Sequence, residues 1–346
     1  MNILIVGPDK EAKGGIATVI NNCYLYDHPD EYRFFFLSSW SEERKWWTQL
    51  RAFFCIRKVV NVNKIDLVHF HVAQKGSFFR KALLSKLVPK SCCIFFHMHA
   101  SQFDIFYNQS NKFMKTIIGR VLQRIDHIIV LSKSWQEFYK KLTDTDISII
   151  NNAVDLPENV YYNKDATHIV TFGRVGQRKG SYDILTVAKQ IAINFPDIRF
   201  VLYGDGEVEK VQEHIKREQI TNVILGGWVH QEEKEKIFQN TVLHFLPSYN
   251  EGLPMSILET MAVGIPNIST RVGGIPEVID GENSLLVEPG DTDTMTTLIQ
   301  SFLSNERQRT TYSKKARETI SKNFSQEEHY QSWYRLYSKY MDLKTK

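Results

Sequence analysis

The sequence has 346 residues, a length that predicts two domains. Hydrophobic residues make up 42% and charged residues 24%, a balance typical of a globular protein with a buried core, which excludes a disordered, collagenous or coiled-coil chain. The net charge of +4 is too small to indicate nucleic-acid binding, and no run approaches the roughly 18 apolar residues of a membrane span.

The first residues, MNILIVGPDK, predict a buried strand and not a signal peptide, because no basic segment precedes the short apolar run. We therefore expect a cytoplasmic protein. Short runs of Val, Ile, Leu and Phe recur along the chain and indicate further strands. The first half contains the predicted strands Asn2–Val6, Phe34–Leu37, Leu67–His71, Cys93–His97, His127–Leu131 and Ile147–Ile150. The second half contains His168–Phe172, Arg199–Tyr203, Val223–Leu225, Val242–Leu246, Asn267–Ser269 and Ser284–Val287.

Near-continuous apolar strands that alternate with helical stretches indicate parallel sheets covered by helices on both faces. Twelve strands are too many for one compact sheet, and the segment Leu156–Ala166 lacks periodicity, as a linker does. The sequence therefore predicts an α/β protein with two Rossmann-like domains that face each other across a cleft. We place them at residues 1–160 and 161–323. Ligand-binding residues should follow the carboxyl ends of the strands.

The segment Pro247–Glu259, PSYNEGLPMSILE, follows a predicted strand and leads into a short helix. Pro254 suits the first helical position, and the open N–H groups of a helix N-terminus favour a phosphate. Glu251 in the turn and Glu259 in the helix are poor ligands for an anion but good acceptors for sugar hydroxyl groups. The alternative is a simple capping turn followed by one solvated glutamate.

The segment Gly173–Gly180, GRVGQRKG, places Arg174, Arg178 and Lys179 directly after another predicted strand. Arginine presents a fork of donors to phosphate oxygens and lysine a point charge. The segment is not a Walker loop, because its lysine precedes the glycine. Alone it could equally be a basic surface turn, but it shares a predicted domain with the two glutamates.

His97 and His99 lie at the end of the fourth predicted strand, and alternation places both imidazoles on one side. Such a pair can bind a metal, yet no companion Asp, Glu or Cys set is evident, and a structural role is equally compatible. The glycine-rich turn Gly14-Gly15 follows the first strand but does not match G-x-G-x-x-G. A dinucleotide-dependent dehydrogenase is therefore disfavoured.

EGLPMSILE resembles the E-x7-E signature of the retaining family-4 glycosyltransferases, which have the GT-B fold. The resemblance covers nearly the whole chain in motifs of the expected order. These motifs are KGGIATVI, FFHMHAS, GRVGQRKG, FVLYGDGE, LGGWV, LHFLPS and VGGIPEVIDGENSLLVEPGD. The end of the chain, FSQEEHYQSWYRLYSKY, is similar to the family's final helix, which crosses back to the first domain. It implies that residues 324–346 form such a helix.

The resemblance implies a role for each matching position. Arg174 and Lys179 would bind the diphosphate of a nucleotide-sugar donor, a UDP- or GDP-sugar. Glu251 would hold the transferred sugar and His99 would lie beside it. The remaining donor-binding positions would be Gly15 at the phosphates, Val229 at the nucleobase, Gly252, Leu253 and Pro254 at the sugar and its phosphate, and Glu259 at the ribose.

The resemblance further implies a hexosyl- or N-acetylhexosaminyltransferase that retains anomeric configuration and requires no metal or other cofactor. The acceptor would be a saccharide or a lipid-linked saccharide in capsule, O-antigen or exopolysaccharide synthesis. Two alternatives share the fold, namely a nucleotide-sugar 2-epimerase and a non-catalytic nucleotide-binding homologue. The intact charged residues argue against the second.

Positive charge is concentrated in residues 41–90, whose formal charge is +8. Within it, KWWTQLRAFFCIRKVVN at residues 45–61 places aromatic and aliphatic residues at helical spacing, with basic residues between them. The apolar positions are Trp46, Leu50, Phe53, Phe54 and Val60. Basic, tryptophan-containing amphipathic segments suit an anionic membrane surface. This pattern predicts peripheral contact with the inner membrane; the alternative is a core helix with a cationic outer face.

Overall fold

The computed structural model describes residues 1–9 and 12–344. The chain divides into two compact units. Unit 1 comprises Met1–Asn152 together with the chain from Tyr330 onward, and unit 2 comprises Ala153–His329. No helix in the described part of the chain is both long and apolar enough to cross a bilayer.

Unit 1 is built on a parallel sheet with the strand order β2-β1-β3-β4-β5-β6. Its strands are β1 (Asn2–Pro8), β2 (Arg33–Trp40), β3 (Leu67–Val72), β4 (Cys93–Met98), β5 (His127–Val130) and β6 (Ile147–Ile149). Its helices are α1 (Gly15–Leu25), α2 (Lys45–Val62), α3 (Gly76–Ser85), α4 (Phe103–Gln109), α5 (Lys112–Leu122) and α6 (Lys133–Lys140).

Both faces of this sheet are buried, which explains why its strands are apolar throughout. In β1, Leu4 and Val6 belong to one core cluster, whereas Ile3 and Ile5 belong to another. The period of two along a strand sends these pairs to opposite faces. The first cluster contains buried residues of α2, α3 and α5.

Unit 2 is built on a second parallel sheet with the order β12-β11-β10-β7-β8-β9. Its strands are β7 (His168–Phe172), β8 (Arg199–Tyr203), β9 (Val223–Gly227), β10 (Thr241–Leu246), β11 (Asn267–Thr270) and β12 (Leu285–Val287). Its helices are α7 (Ser181–Asn194), α8 (Val208–Arg217), α9 (Gln231–Gln239), α10 (Met255–Ala262), α11 (Thr292–Ser304) and α12 (Glu306–Asn323).

The last helix, α13 (Gln326–Lys344), places a stripe of aromatic residues on the sheet of unit 1. Tyr330, Trp333 and Tyr337 are at most 4% exposed and recur at helical spacing. They form one core cluster with Ile3 and Ile5 of β1. Apolar burial of this extent stabilises each large side chain by about 1.5–3 kcal/mol, so α13 is an integral part of unit 1.

All twelve predicted strands are present in the described chain, with their ends shifted by at most three residues. The segment predicted as a linker has neither helix nor strand over residues 156–166. It nevertheless belongs to unit 2, because Tyr161 and Tyr162 pack on a core cluster there and Arg317 donates to the carbonyl of Pro157 at 2.6 Å. The boundary between the compact units lies after Asn152, eight residues before the predicted position.

Candidate active site

The candidate site lies at the carboxyl edge of the sheet of unit 2. In this sheet the chain runs outward from β7 to β8 and β9, and then returns to β10 on the other side of β7. Such a reversal leaves a crevice beyond the carboxyl ends of the two central strands, where open α/β sheets bind ligands. The segments Gly173–Gly180 and Pro247–Glu259 both begin at this crevice.

Lys179 and Glu251 form a buried ion pair at this crevice. Nζ of Lys179 donates to Oε1 of Glu251 at 2.5 Å, and the two residues are only 8% and 6% exposed. Lys179 ends the 3-10 turn Gln177–Lys179, and Gly180 follows it with a left-handed φ of 70°. A Cβ on Gly180 would lie 2.1 Å from the carbonyl oxygen of Pro247, so the glycine allows the two loops to touch.

The carboxylate of Glu251 has two further polar neighbours. Oγ of Ser248 donates to Oε1 at 2.6 Å, and Nη1 of Arg178 lies 3.8 Å from Oε2. The same guanidinium group donates to the carbonyl oxygen of Asn250 at 3.0 Å, which ties the loop after β7 to the loop after β10. Two cations and a hydroxyl group therefore compensate the cost of burying this charge.

His244, on β10, is fully buried close to the pair. Burial lowers the pKa of His244 to about 4, although its hydrogen bond to Oδ1 of Asn267 at 2.5 Å acts in the opposite direction. The positive charge of Lys179 lowers the pKa further. His244 is therefore neutral at pH 7 and adds no cation to the site.

The turn before α10 presents backbone groups at the same edge. Pro254 is the N-cap of α10, with ψ of 126°, and therefore precedes the helix. The prediction that it occupies the first helical position is wrong. As the N-cap residue, Pro254 makes no side-chain hydrogen bond to the N-terminus of α10. The backbone N–H of Gly274 donates to the carbonyl oxygen of Gly252 at 2.6 Å. A Cβ on Gly273 would lie 2.0 Å from the carbonyl oxygen of Glu251. The segment Val272–Gly274 therefore supports this turn by direct backbone packing.

Glu259, on α10, forms a second ion pair. Nζ of Lys234 on α9 donates to its Oε2 at 2.8 Å, with both side chains about 15% exposed. Sequence reasoning missed Lys234, because it lies in a run of charged residues, QEEKEK, with no local feature that distinguishes it. Ser248 was not predicted either. Its position three residues before Glu251 is the sequence feature that could have indicated the contact.

Arg174 follows β7 and Val229 follows β9, and β8 lies between these two strands in the same sheet. Arg174 is exposed, and its Cγ lies 2.8 Å from where a Cβ on Gly206 would be. Val229 is half-buried, two residues after β9. Within the described residues neither one bonds to Lys179 or Glu251, whereas Arg178 lies 3.8 Å from the carboxylate of Glu251.

Gly15 begins α1 at the carboxyl edge of the sheet of unit 1 and is exposed. The preceding Gly14 is the N-cap, with φ of 113°, a conformation that side chains disfavour. Gly14 has no side chain that could cap this helix. The turn therefore presents backbone N–H groups next to the carboxyl end of β1.

His97 and His99 differ in their surroundings. His97 is 0% exposed, whereas His99 is half-buried just beyond the end of β4, and the centroids of their rings lie 4.0 Å apart. His69, His71 and His97 bring ligand nitrogens within 4.8 Å of one another. The rings of His69 and His71, however, are stacked at 4.6 Å and 9°, an arrangement typical of aromatic contact and not of converging metal ligands. His99 is thus the more accessible of the pair singled out from the sequence.

Two family descriptions match consecutive parts of this chain. Glycosyltransferase Family 4 matches residues 13–158, and Glycosyl transferases group 1 matches residues 157–319, which includes every candidate residue of unit 2. The chain belongs to the family-4 glycosyltransferases. The expected family is therefore confirmed, and so is glycosyltransferase activity as the general class of reaction.

The glycosyltransferase resembles proteins that match it over nearly their full length. An uncharacterized 41.2 kDa protein in the cps region of Klebsiella pneumoniae is 26% identical, covering 98% of this chain and 100% of that protein. Sucrose-phosphate synthase from Thermosynechococcus elongatus has a TM-score of 0.81 at 16% identity, covering 99% of each chain. HepE from Anabaena, solved in complex with UDP-glucose, has a TM-score of 0.77 at 16% identity. The likeness covers 98% of this chain and 100% of the HepE chain. These likenesses confirm the predicted GT-B fold.

Proposed function

We propose that this glycosyltransferase moves a hexosyl or N-acetylhexosaminyl group from a nucleotide-sugar donor to a saccharide or lipid-linked acceptor, with retention of configuration. The observation that carries the proposal is the buried pair of Lys179 and Glu251 at the crevice between β7 and β10. It combines a cation for phosphate with a carboxylate for sugar hydroxyl groups beside the N-terminus of α10, whose N-cap residue provides no side-chain bond.

In this proposal the donor is held chiefly by unit 2. Arg174 and Lys179 bind the diphosphate, while Glu251 and the backbone of Gly252, Leu253 and Pro254 hold the sugar and its phosphate. Glu259 accepts hydrogen bonds from the ribose, and Val229 contacts the nucleobase. Unit 1 contributes Gly15 at the phosphates and His99 beside the transferred sugar.

The chemistry of transfer explains why cations are needed. Cleavage of the sugar–phosphate bond develops negative charge on the departing diphosphate and oxocarbenium character on the sugar. Preorganised donors that meet this charge lower the barrier, and the loss of one typically costs about 100- to 1,000-fold in rate. Lys179 has three N–H groups, so its bond to Glu251 leaves capacity for a phosphate oxygen. Transfer in this scheme uses no metal ion.

The donor can be identified by thermal-shift measurements with UDP-, GDP- and ADP-sugars. A donor at 100 times its dissociation constant stabilises the folded protein by about 2.7 kcal/mol. HepE binds UDP-glucose, which supports a nucleotide-sugar and makes UDP-sugars the first to test. If none of these compounds raised the melting temperature, the proposed donor site would be wrong.

We further propose that the acceptor belongs to bacterial surface-polysaccharide assembly. The support is the full-length likeness to a protein in the cps region of Klebsiella pneumoniae. Product analysis with the stabilising donor and saccharide or lipid-linked acceptors tests this assignment. A retained anomeric linkage in the product supports it, whereas free epimerised sugar formed without acceptor would instead identify a 2-epimerase.

We also propose that unit 1 docks on an anionic membrane through the outer face of α2. Besides Val62 at its last position, α2 exposes four large apolar side chains to solvent: Trp46 by 80%, Trp47 by 66%, Leu50 by 53% and Phe54 by 74%. At 100° per residue they share one face of the helix. The opposite face, with Ala52, Ile56 and Val60, is buried.

The charges of α2 favour a lipid surface over an apolar protein partner. Lys45, Arg51, Arg57 and Lys58 are all exposed, and α2 contains no acidic residue. Aromatic side chains between cations suit the interface of an anionic bilayer, where rings enter the headgroup region and cations meet phosphates. Of the predicted apolar stripe, Val60 and most of Phe53 instead face the core.

Vesicle flotation tests this contact. We expect the protein to float with vesicles of phosphatidylglycerol and phosphatidylcholine and not with phosphatidylcholine alone. Trp46→Ala and Phe54→Ala should each weaken binding by about tenfold, since each removes a large apolar group from the interface. Ile193→Ala, at a residue 79% exposed in unit 2, is the matched control. Equal binding to both kinds of vesicle would contradict the proposal.

A further inference from the structure

Unit 1 has a crevice of its own at the carboxyl edge of its sheet. The chain runs from β1 outward to β2 and then returns to β3 on the other side of β1. This reversal leaves a crevice beyond the carboxyl ends of β1 and β3, the position at which open α/β sheets bind ligands. Helix α3 begins at Gly76, after a short loop at residues 73–75, so its N-terminus borders this crevice.

Two neighbouring cations of α3 point back toward its first turn. Nζ of Lys81 donates to Oγ of Ser77 at 3.2 Å. Nη1 of Arg80 lies 3.1 Å from where a Cβ on Gly76 would be. Both contacts reach four residues back, because helical side chains lean toward the N-terminus. Oγ of Ser77 also accepts from the backbone N–H of Ala73 at 3.2 Å, directly after β3. Both charges therefore lie at the end of α3 that borders the crevice.

The amine of Lys81 is buried without an acidic partner. The residue is 2% exposed, and among the residues that the structure describes neither Lys81 nor Arg80 forms an ion pair. Nε of Arg80 is also buried, and no group of the described chain accepts its hydrogen. Burial and the charge of Arg80 together lower the pKa of Lys81 to about 7. A buried charge of this kind is costly unless a counter-charge compensates it.

The N-terminus of α3 adds to the positive potential of the two side chains. Aligned peptide dipoles place about half an elementary charge at a helix N-terminus, which attracts anions and repels cations. The turn is open to solvent, because Lys75 and Gly76 are exposed and Arg80 is half-buried. An amine, a guanidinium group and a helix N-terminus thus meet at one accessible position, an arrangement that an anion stabilises.

We propose that Arg80, Lys81 and the first turn of α3 bind a phosphate group of the acceptor. This inference rests on the proposed function, in which unit 2 chiefly holds the donor and the acceptor is a saccharide or a lipid-linked saccharide. It narrows the acceptor to one that carries phosphate, either in a lipid linkage or on a phosphorylated saccharide. A fork of donors from arginine beside a point charge from lysine suits one phosphate that is bound by both.

Binding can be measured without turnover in the full-length protein. Lys179→Ala serves as the parent, because it weakens the phosphate site proposed in unit 2. Geranyl phosphate and inorganic phosphate are titrated by calorimetry, with geraniol as the uncharged comparison. Lys81→Met or Arg80→Gln should weaken the binding of both phosphates at least about tenfold. Lys86→Met, at the exposed C-cap of α3, is the matched control. Equal affinities in Lys81→Met and its parent would overturn the proposal.

Folding of the variant is checked by thermal melting in phosphate-free buffer. Methionine replaces a buried, uncompensated charge by an apolar side chain of similar length, so the melting temperature should not fall. Phosphate should raise the melting temperature of the parent more than that of Lys81→Met. An equal rise in both folded proteins would also overturn the proposal.

Comparison of the probes identifies the source of the phosphate. If geranyl phosphate binds at least about tenfold more tightly than inorganic phosphate, the site accepts a lipid-linked phosphate. Similar affinities support a phosphorylated saccharide. Geraniol that bound as tightly as geranyl phosphate would show that phosphate is not recognised, which contradicts the proposal. A nucleotide-sugar that lost affinity in Lys81→Met as strongly as phosphate would assign the anion to the donor, and the proposal would be wrong.

Kinetics separate this inference from the proposed function. In the protein with Lys179 intact, Lys81→Met should raise the KM for a phosphate-linked acceptor at least about tenfold and leave the KM for the donor within about threefold. An unchanged KM for the acceptor would overturn the inference and leave the proposed function in place. If the wild type glycosylated no acceptor, the proposed function would fail, whereas phosphate binding that depends on Lys81 would still support the anion site.

Discussion

At the scale of single residues, the site depends on the buried ion pair of Lys179 and Glu251, in which each charge compensates the other. Removal of one partner of such a pair leaves an uncompensated charge, which typically costs about 3–5 kcal/mol. Glu251 also has Ser248 and Arg178 as neighbours, so its carboxylate keeps partners when Lys179 is lost. Substitution of Lys179 should therefore affect catalysis more than folding.

We predict that Lys179→Ala or Glu251→Ala lowers turnover at least about 100-fold, because each removes a group that meets charge in the transition state. Glu251→Gln keeps the shape of the side chain and should lose a similar factor. Circular dichroism and thermal melting check that the variants are folded. Lys189→Ala, which breaks a surface ion pair with Glu218, is the control. Near-normal turnover in a folded Glu251→Gln protein would refute the assignment.

At the scale of elements, α13 is attached to unit 1 by a series of bonds between tyrosine and histidine. Hydroxyl groups of Tyr334, Tyr337 and Tyr340 lie 2.7, 3.0 and 2.7 Å from Nδ1 of His28, His69 and His127, respectively. The tyrosines recur every three residues, so one face of the helix supplies all three bonds. Protonation of these histidines would remove any acceptor nitrogen that they present to the helix.

This arrangement predicts that acid destabilises unit 1. Burial lowers the pKa of His127 to about 4, against the smaller opposite effect of Asp146. The folded state therefore binds this proton less readily than the unfolded state, and stability present above about pH 6.5 is lost as pH falls toward 4. Burial also lowers the pKa of His28, which makes stability fall with pH in the same way.

Denaturant unfolding between pH 7.5 and 4.5 checks this prediction. The free energy of unfolding should fall with pH in the wild type and fall less steeply in His127→Gln, whose amide can still bond to Tyr340 and Ser148. Ile193→Ala, at an exposed residue of unit 2, is the control and should leave the slope unchanged. Identical slopes in the wild type and His127→Gln would show that His127 makes no contribution.

At the scale of the whole molecule, charge is divided unequally between the two units. Unit 1 has 25 basic and 14 acidic residues, a formal charge of +11, whereas unit 2 has 18 and 25, a charge of −7. The small net charge of the chain conceals this division. An anionic donor proposed to bind the acidic unit therefore depends on local cations such as Lys179, and the basic unit is the one suited to anionic lipid.

Binding to anionic vesicles should consequently weaken as salt rises. Exposed charges are screened over about 10 Å at 0.1 M salt and about 3 Å at 1 M, so flotation should decline steeply between these concentrations. Arg57→Gln and Lys58→Gln should each reduce the affinity by about fivefold at low salt. Flotation that persisted unchanged at 1 M salt would show that the cations of α2 play no part.

The strands, the two sheets, the family and the segments around the candidate site could be predicted from the sequence alone. These features depend on local patterns, namely apolar runs that any doubly covered sheet requires and glycines where backbones meet, such as Gly180. The proximity of Lys179 and Glu251 could be predicted, because both residues follow strands in one predicted domain.

Contacts between residues that are distant in the chain could not be predicted, because they depend on the tertiary structure. The partner of Glu259 is Lys234 and that of His99 is His71, and neither has a local pattern that marks it. Lys81, counted in the basic region, is 2% exposed, and burial lowers its pKa to about 7. Helix α2 is apolar on both faces, so its periodicity could not show which face packs on the sheet and which meets solvent. That choice is made by the surfaces that α2 contacts, which the local sequence does not contain.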